Sequence, residues 1–143
     1  MVLHDRSAAE LATAELYALL RLRVDVFVVE QACPYPELDG RDLEPGTRHL
    51  WLADADGSPL ACLRLLAESG STRIGRVATR ADQRGRGLAG RLLDHALASS
   101  PAPHVLDAQS HLRAWYEQRG FAVAGPEFVE DGIPHLPMRR PAP

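Results

Sequence analysis

A chain of 143 residues is long enough to enclose one hydrophobic core and too short for two cofactor-sized domains. A single domain over 1–143 is therefore expected, with Pro141 to Pro143 as a short proline-rich tail. Apolar residues make up 45% and charged residues 24%, the balance of a globular chain rather than a disordered or fibrous one. No apolar run approaches the roughly 20 residues that span a bilayer, and a net charge of −3 argues against a nucleic-acid backbone as partner.

The segment from Met1 to Arg6 leads into an amphipathic pattern rather than an apolar leader with a cleavage site, so a cytoplasmic location is expected. Cys33 and Cys62 lie in unlike surroundings, and no Cys or His pair has metal-ligand spacing. Reduced thiols and no bound metal follow.

In chain order, Leu16, Leu19, Leu20, Val24 and Phe27 recur at helical spacing after Thr13, a plausible N-cap, which predicts a helix to about Phe27 or beyond. A proline-broken loop from Cys33 to Gly46 follows, then a strand over His49 to Ala53. Asp56-Gly57 is a type I′ hairpin signal leading to a strand around Leu60 to Leu66, and another is predicted from Arg73 to Thr79. Further elements are a helix over Gly87 to Ser99, a buried strand His104 to Asp107, a helix over Ser110 to Arg119, and terminal strands near Phe121 and over Pro134 to Arg139. The order is that of a mixed α/β sheet whose parallel part lies around the glycine-rich segment.

That segment, Arg84-Gly85-Arg86-Gly87-Leu88-Ala89-Gly90, places small residues where a loop becomes a helix, so amides can converge on a phosphate. A nucleotide triphosphatase loop would need Lys and then Ser or Thr after the last glycine, where the chain has Arg91 and Leu92. A dinucleotide fingerprint fits Gly85, Gly87 and Gly90, with Asp107 where a ribose-binding acid belongs. However, the charged run Arg80 to Arg84 separates the strand from the first glycine, and too little chain follows Asp107 for two mononucleotide halves. Arg80, Arg84, Arg86 and Arg91 crowd the loop, as a local phosphate ligand would require.

The same segment resembles the pyrophosphate loop of the GNAT superfamily, Gln or Arg, two residues, Gly, one residue, then Gly or Ala. Tyr116 to Phe121 resembles that superfamily's Tyr-x-x-x-Gly-Phe passage. Leu16 to Gln31, Glu37 to Gly40, Arg48-His49 and Glu130 to His135 are similar to its ElaA-type branch. The resemblance implies an acetyltransferase fold whose mixed sheet splays between its fourth and fifth strands, here Arg73 to Thr79 and His104 to Asp107. It implies acetyl-CoA as donor, with backbone groups of Val77, Ala78 and Thr79 on the pantetheine and amides of Arg84 to Gly90 on the pyrophosphate. Gln109 stands where many members place an Asn against the pantetheine arm.

Transfer of an acetyl group to an amine needs a proton for the departing thiolate and an acceptor for the amine proton. The matched motif places Tyr116 beside the cofactor sulfur as donor. For the base, Glu30, Asp39, His49, His111 and His135 are candidates, led by Glu30 at the end of the first helix and His111 in the first turn of the last. Glu30, Glu37, Asp39, Asp42 and Glu44 make the loop region acidic against one Arg41; with Glu30, Asp39 and His49 as substrate contacts, this favours a cationic small-molecule or peptide amine. Neither cysteine is placed for a covalent intermediate, so direct transfer in a ternary complex is expected. A non-catalytic acyl-CoA sensor and a small NAD-binding domain are the alternatives, and the oligomeric state, monomer or homodimer, is open.

Overall fold

Eight strands and three helices follow one another as β1 (Val2–Ser7), α1 (Thr13–Val24), β2 (Arg48–Ala53), β3 (Pro59–Glu68), β4 (Ser71–Thr79), α2 (Leu88–Ser99), β5 (His104–Gln109), α3 (Arg113–Glu117), β6 (Ala122–Val123), β7 (Phe128–Glu130) and β8 (Ile133–Arg140). They are seen in a computed structural model that describes residues 1–143. The strands form one mixed sheet in the order β1-β2-β3-β4-β5-β8-β6, with β7 also paired to β8. Only β4 and β5 run parallel.

Two apolar clusters sandwich the sheet. Leu88, Leu92, Leu93 and Ala96, one face of α2, pack on Leu50, Leu63, Leu65, Ile74 and Leu106. On the other face Leu19, Leu22 and Val26 of the first helix meet Trp51, Cys62 and Ala78. Each leucine so enclosed contributes roughly 1.5–3 kcal/mol.

Several boundaries differ from the sequence reading. Thr13 is the first helical residue rather than the N-cap; the Ala12 amide precedes it and donates to the Glu15 carboxylate at 2.9 Å. The helix continues past Val24 as a π-helical segment, Asp25–Glu30, which advances Glu30 to the rim of the sheet. Asp56-Gly57 does turn the chain between β2 and β3, but in a longer loop organised by Asp54, whose Oδ1 accepts from the Asp56 and Ser58 amides. The last helix is short, α3 preceded by a 3₁₀ turn at Ser110–Leu112. β1 and β7 had no strand signal of their own, because their side chains are half-buried or exposed throughout.

Two features of β4 open the molecule. Parallel pairing with β5 is confined to Thr72 with His104 and Arg73 with Val105, so from Ile74 onward the two strands part, as expected. Against β3, the register shifts between Cys62 and Arg64, and Arg76 adopts φ 53°. This bulge lets Arg76 reach the same loop that Arg64 reaches from β3.

Candidate active site

The gap between β4 and β5 widens into a cleft of about 1260 Å³. One end is formed by Gly85, Gly87 and the first turn of α2, the other by Arg73, Asp107 and Asp39, and Tyr116 lies along its wall. The β4 edge from Ile74 to Thr79 has no β5 partner, which leaves backbone groups on either side of the Arg76 bulge for an amide-bearing ligand to pair with.

The loop before α2 fits a pyrophosphate on its own geometry. Gly85 and Gly87 take φ 77° and 73°, a left-handed backbone that other residues adopt at a cost. Gly87 caps α2 without any side chain closing the helix start, so the amides of Leu88, Ala89 and Gly90 point outward unpaired. Gly90 lies beneath the Arg119 guanidinium, whose Nη2 would stand 2.4 Å from a Cβ there and which lies over the Trp115 ring.

Arg84 faces two partners. Its Nη1 and Nη2 donate to Glu30 at 2.5 and 2.7 Å, and its Nε and Nη2 donate to the Thr79 carbonyl at 3.2 and 3.1 Å. The hydrogen bond from Arg84 holds the Glu30 carboxyl below its ordinary range, and both carboxylate oxygens are occupied. Glu30 therefore lines the cleft as a partner of the phosphate loop. Arg86 turns away to Gln83 and does not line the cleft.

Tyr116 is 5% exposed, set edge-on against Trp115 and Phe121, and its hydroxyl has no hydrogen-bond partner within the protein. Burial pushes the phenol up to about 12, so it is protonated throughout the neutral range. Gln109, His111, Val77, Ala78 and Thr79 all line the same cleft.

The acidic loop is not the free negative surface its composition implies. Arg23 donates to Glu37 and Asp42, both at 2.6 Å, from a position 2% exposed. Arg64 reaches Asp39 at 2.9 Å and Asp42 at 3.2 Å, and Arg76 reaches Glu37 at 2.8 Å. Tyr35 donates to Glu37. Burial alone would raise Asp39, but hydrogen bonds from Arg64 and the Arg41 amide outweigh it and hold the carboxyl at about 2. Asp39 reaches the cleft already paired. His49 is 2% exposed, bonds the Asp42 carbonyl at 2.9 Å and lies outside the cleft. The structure does not bring it together with the other expected acceptor contacts: it packs under the loop, where burial lowers its basicity.

Sequence reasoning does not single out these arginines as site residues. The available signal was their setting, Arg23 among Leu19, Leu22 and Val26 and Arg64 within Leu60 to Leu66, since an arginine in an apolar run is buried only with a partner.

The Acetyltransferase (GNAT) domain family matches residues 18–141 of this chain. A UPF0039 protein of Mycobacterium tuberculosis is 54% identical over 139 residues, 94% of this chain and 89% of its own length. The crystal structure of an acyl-CoA N-acyltransferase from Pseudomonas aeruginosa superimposes with a TM-score of 0.93 at 44% identity, covering 97% of this chain and 98% of that one. Escherichia coli ElaA superimposes with a TM-score of 0.91 at 36% identity over 97% and 98%. The chain belongs to the GNAT acetyltransferase family, and its relatives include ElaA. No helix is long and apolar enough to cross a membrane.

Proposed function

We propose that the protein transfers an acetyl group from acetyl-CoA to a primary amine by direct attack in a ternary complex. The observation that carries this reading is a single cleft joining an uncapped, glycine-built phosphate cradle to the Tyr116 hydroxyl along an unpaired strand edge. The resemblance to a structure named as an acyl-CoA N-acyltransferase supports the donor class.

In this reading the β4 edge from Val77 to Thr79 and Gln109 orient the pantetheine arm, and the amides of Leu88 to Gly90 with Arg84 hold the pyrophosphate. The amine nitrogen forms a bond to the acyl carbon as the carbon–sulfur bond breaks, its electron pair leaving on sulfur. Tyr116 donates its phenolic proton to that sulfur. His111, which lines the cleft with no hydrogen bond to its ring, accepts the proton released by the amine. A phenol near 12 is a weaker acid than a thiol at about 8.5, so Tyr116 acts mainly by hydrogen bonding to the developing thiolate. A phenolate left by transfer to sulfur regains its proton from the one that His111 took from the amine, which closes the balance.

Calorimetric titration with acetyl-CoA and, separately, with NADH tests the donor assignment. Binding of acetyl-CoA alone is expected; binding of NADH alone would transfer the cradle to a dinucleotide reading.

A further inference from the structure

The far end of the cleft carries a pair of opposite charges that are incompletely matched. Arg73, the last β4 residue paired with β5, places its Nε between both oxygens of Glu68 at 3.0 Å. Its two terminal nitrogens make no hydrogen bond. Nη1 stands 3.6 Å from Asp107 Oδ2, beyond hydrogen-bonding distance. Asp107 follows Val105 by two residues and so faces the same side of the sheet as Arg73. Both side chains are partly open, 33% and 42% exposed, and both line the cleft. Beside them, Gly75 leaves the strand bare, with no atom within 4 Å of where a Cβ would stand.

Other charges along the cleft are spoken for within the chain or lie at its edge. Glu30 is held by Arg84, Asp39 by Arg64 and Arg76, and Glu130 and Asp131 sit on the outer β7–β8 hairpin. At the vertex, a guanidinium fork with two free nitrogens suits a carboxylate, while the adjacent carboxylate suits an ammonium. An α-amino acid end presents those two charges side by side, whereas a simple diamine leaves the two terminal nitrogens of Arg73 without an acceptor and an amino-carboxylate leaves Asp107 without a donor.

The pairing at the vertex then limits which amine reacts. An α-amine held as an ammonium by Asp107 has no lone pair for attack on an acyl carbon, so the reacting nitrogen is the distal one.

Resting on the acetyl-transfer reading, we propose that the acceptor is a free diamino acid, held by its amino-acid end between Arg73 and Asp107 so that its distal amine reaches the acyl carbon.

The test is titration of the CoA-saturated protein with lysine, cadaverine and 6-aminohexanoate, and with ornithine, putrescine and 5-aminopentanoate. Each trio removes first the carboxylate and then the α-amine while keeping the distal amine. At least one diamino acid is expected to bind tenfold or more tightly than both of its counterparts. Arg73→Gln should erase the advantage over the diamine, and Asp107→Asn the advantage over the amino-carboxylate, with CoA affinity unchanged in each. Equal affinities within both trios, including no detectable binding of any member, or a preference for a diamine, would overturn the proposal. The wild-type comparison decides the matter even where a variant does not fold. Acetyl transfer, followed separately by thiol release, tests the underlying reaction: turnover of any amine without a diamino-acid preference keeps the reaction and discards this acceptor.

Discussion

Glu30 and Arg84, 54 positions apart in sequence, form a two-armed ion pair that ties the end of the first helix to the phosphate loop. Arg84 spends its remaining donors on the Thr79 carbonyl, so one guanidinium fixes the loop against both the strand edge and the helix. Replacing Arg84 with Gln removes this tie and a positive charge from the pyrophosphate end. The expected result is about a tenfold loss of acetyl-CoA affinity by calorimetry, with the thermal midpoint little changed because the pair is half-exposed.

Tyr116→Phe deletes one hydroxyl and keeps the ring that packs on Phe121. The expected outcome is a fall in kcat of about 100-fold, with acetyl-CoA binding nearly unchanged. Steady-state kinetics beside calorimetry separates the two. Equal loss of binding would show that the hydroxyl holds the donor rather than assisting departure of sulfur.

His111→Ala is expected to lower kcat by about tenfold or more, with acetyl-CoA binding unchanged, because the group that takes up the amine proton is removed. An unchanged kcat would move the proton acceptor to solvent or another residue.

Arg23 is enclosed between Glu37 and Asp42. Arg23→Met leaves those carboxylates with fewer partners in a site that is nearly dry, a change that costs about 3–5 kcal/mol when a buried pair is broken. Urea unfolding should register it as a lower midpoint. A loss under 1 kcal/mol would mean that Arg64 and Arg76 carry the loop unaided.

Stability should fall in two stages on acidification. Burial holds His49 below its ordinary value, so its contribution is full above about pH 6.5 and is lost as pH falls toward the depressed folded value. Asp39, at about 2 when folded, and Asp42, also lowered on balance by Arg23 against its burial, contribute above about pH 4 and lose that contribution as pH drops toward 2. Both shifts make the unfolded chain bind more protons, so unfolding free energy rises with pH through both windows. Chemical denaturation between pH 2 and 8 checks the sign.

The glycine turn before α2 was legible because it depends on neighbours in sequence: Gly85 and Gly87 set a turn, and α2 begins at once, whereas the place of Tyr116 came from the family motif. The splay was legible only through family resemblance, since parting of β4 from β5 is a long-range event. What composition misrepresented was charge. Glu37, Asp39 and Asp42 read as an acidic surface because their partners, Arg23, Arg64 and Arg76, lie 14 to 39 residues away on other elements. The burial of His49 was hidden for a related reason: β2 is covered on both faces, with Leu50 to Ala53 all buried, so alternation gave no hint of which side meets a ligand. The π-helical turn at Asp25–Glu30 has no local signature, yet it decides where Glu30 ends up.

The most direct measurement is release of free CoA thiol from acetyl-CoA by the wild-type protein and by Tyr116→Phe, across a panel of primary amines. Amine-dependent thiol release by the wild type, reduced about 100-fold in the variant at equal acetyl-CoA binding, is the predicted result. Tight acetyl-CoA binding with no amine-dependent release from either protein would contradict catalysis and leave a thioester-binding protein in its place.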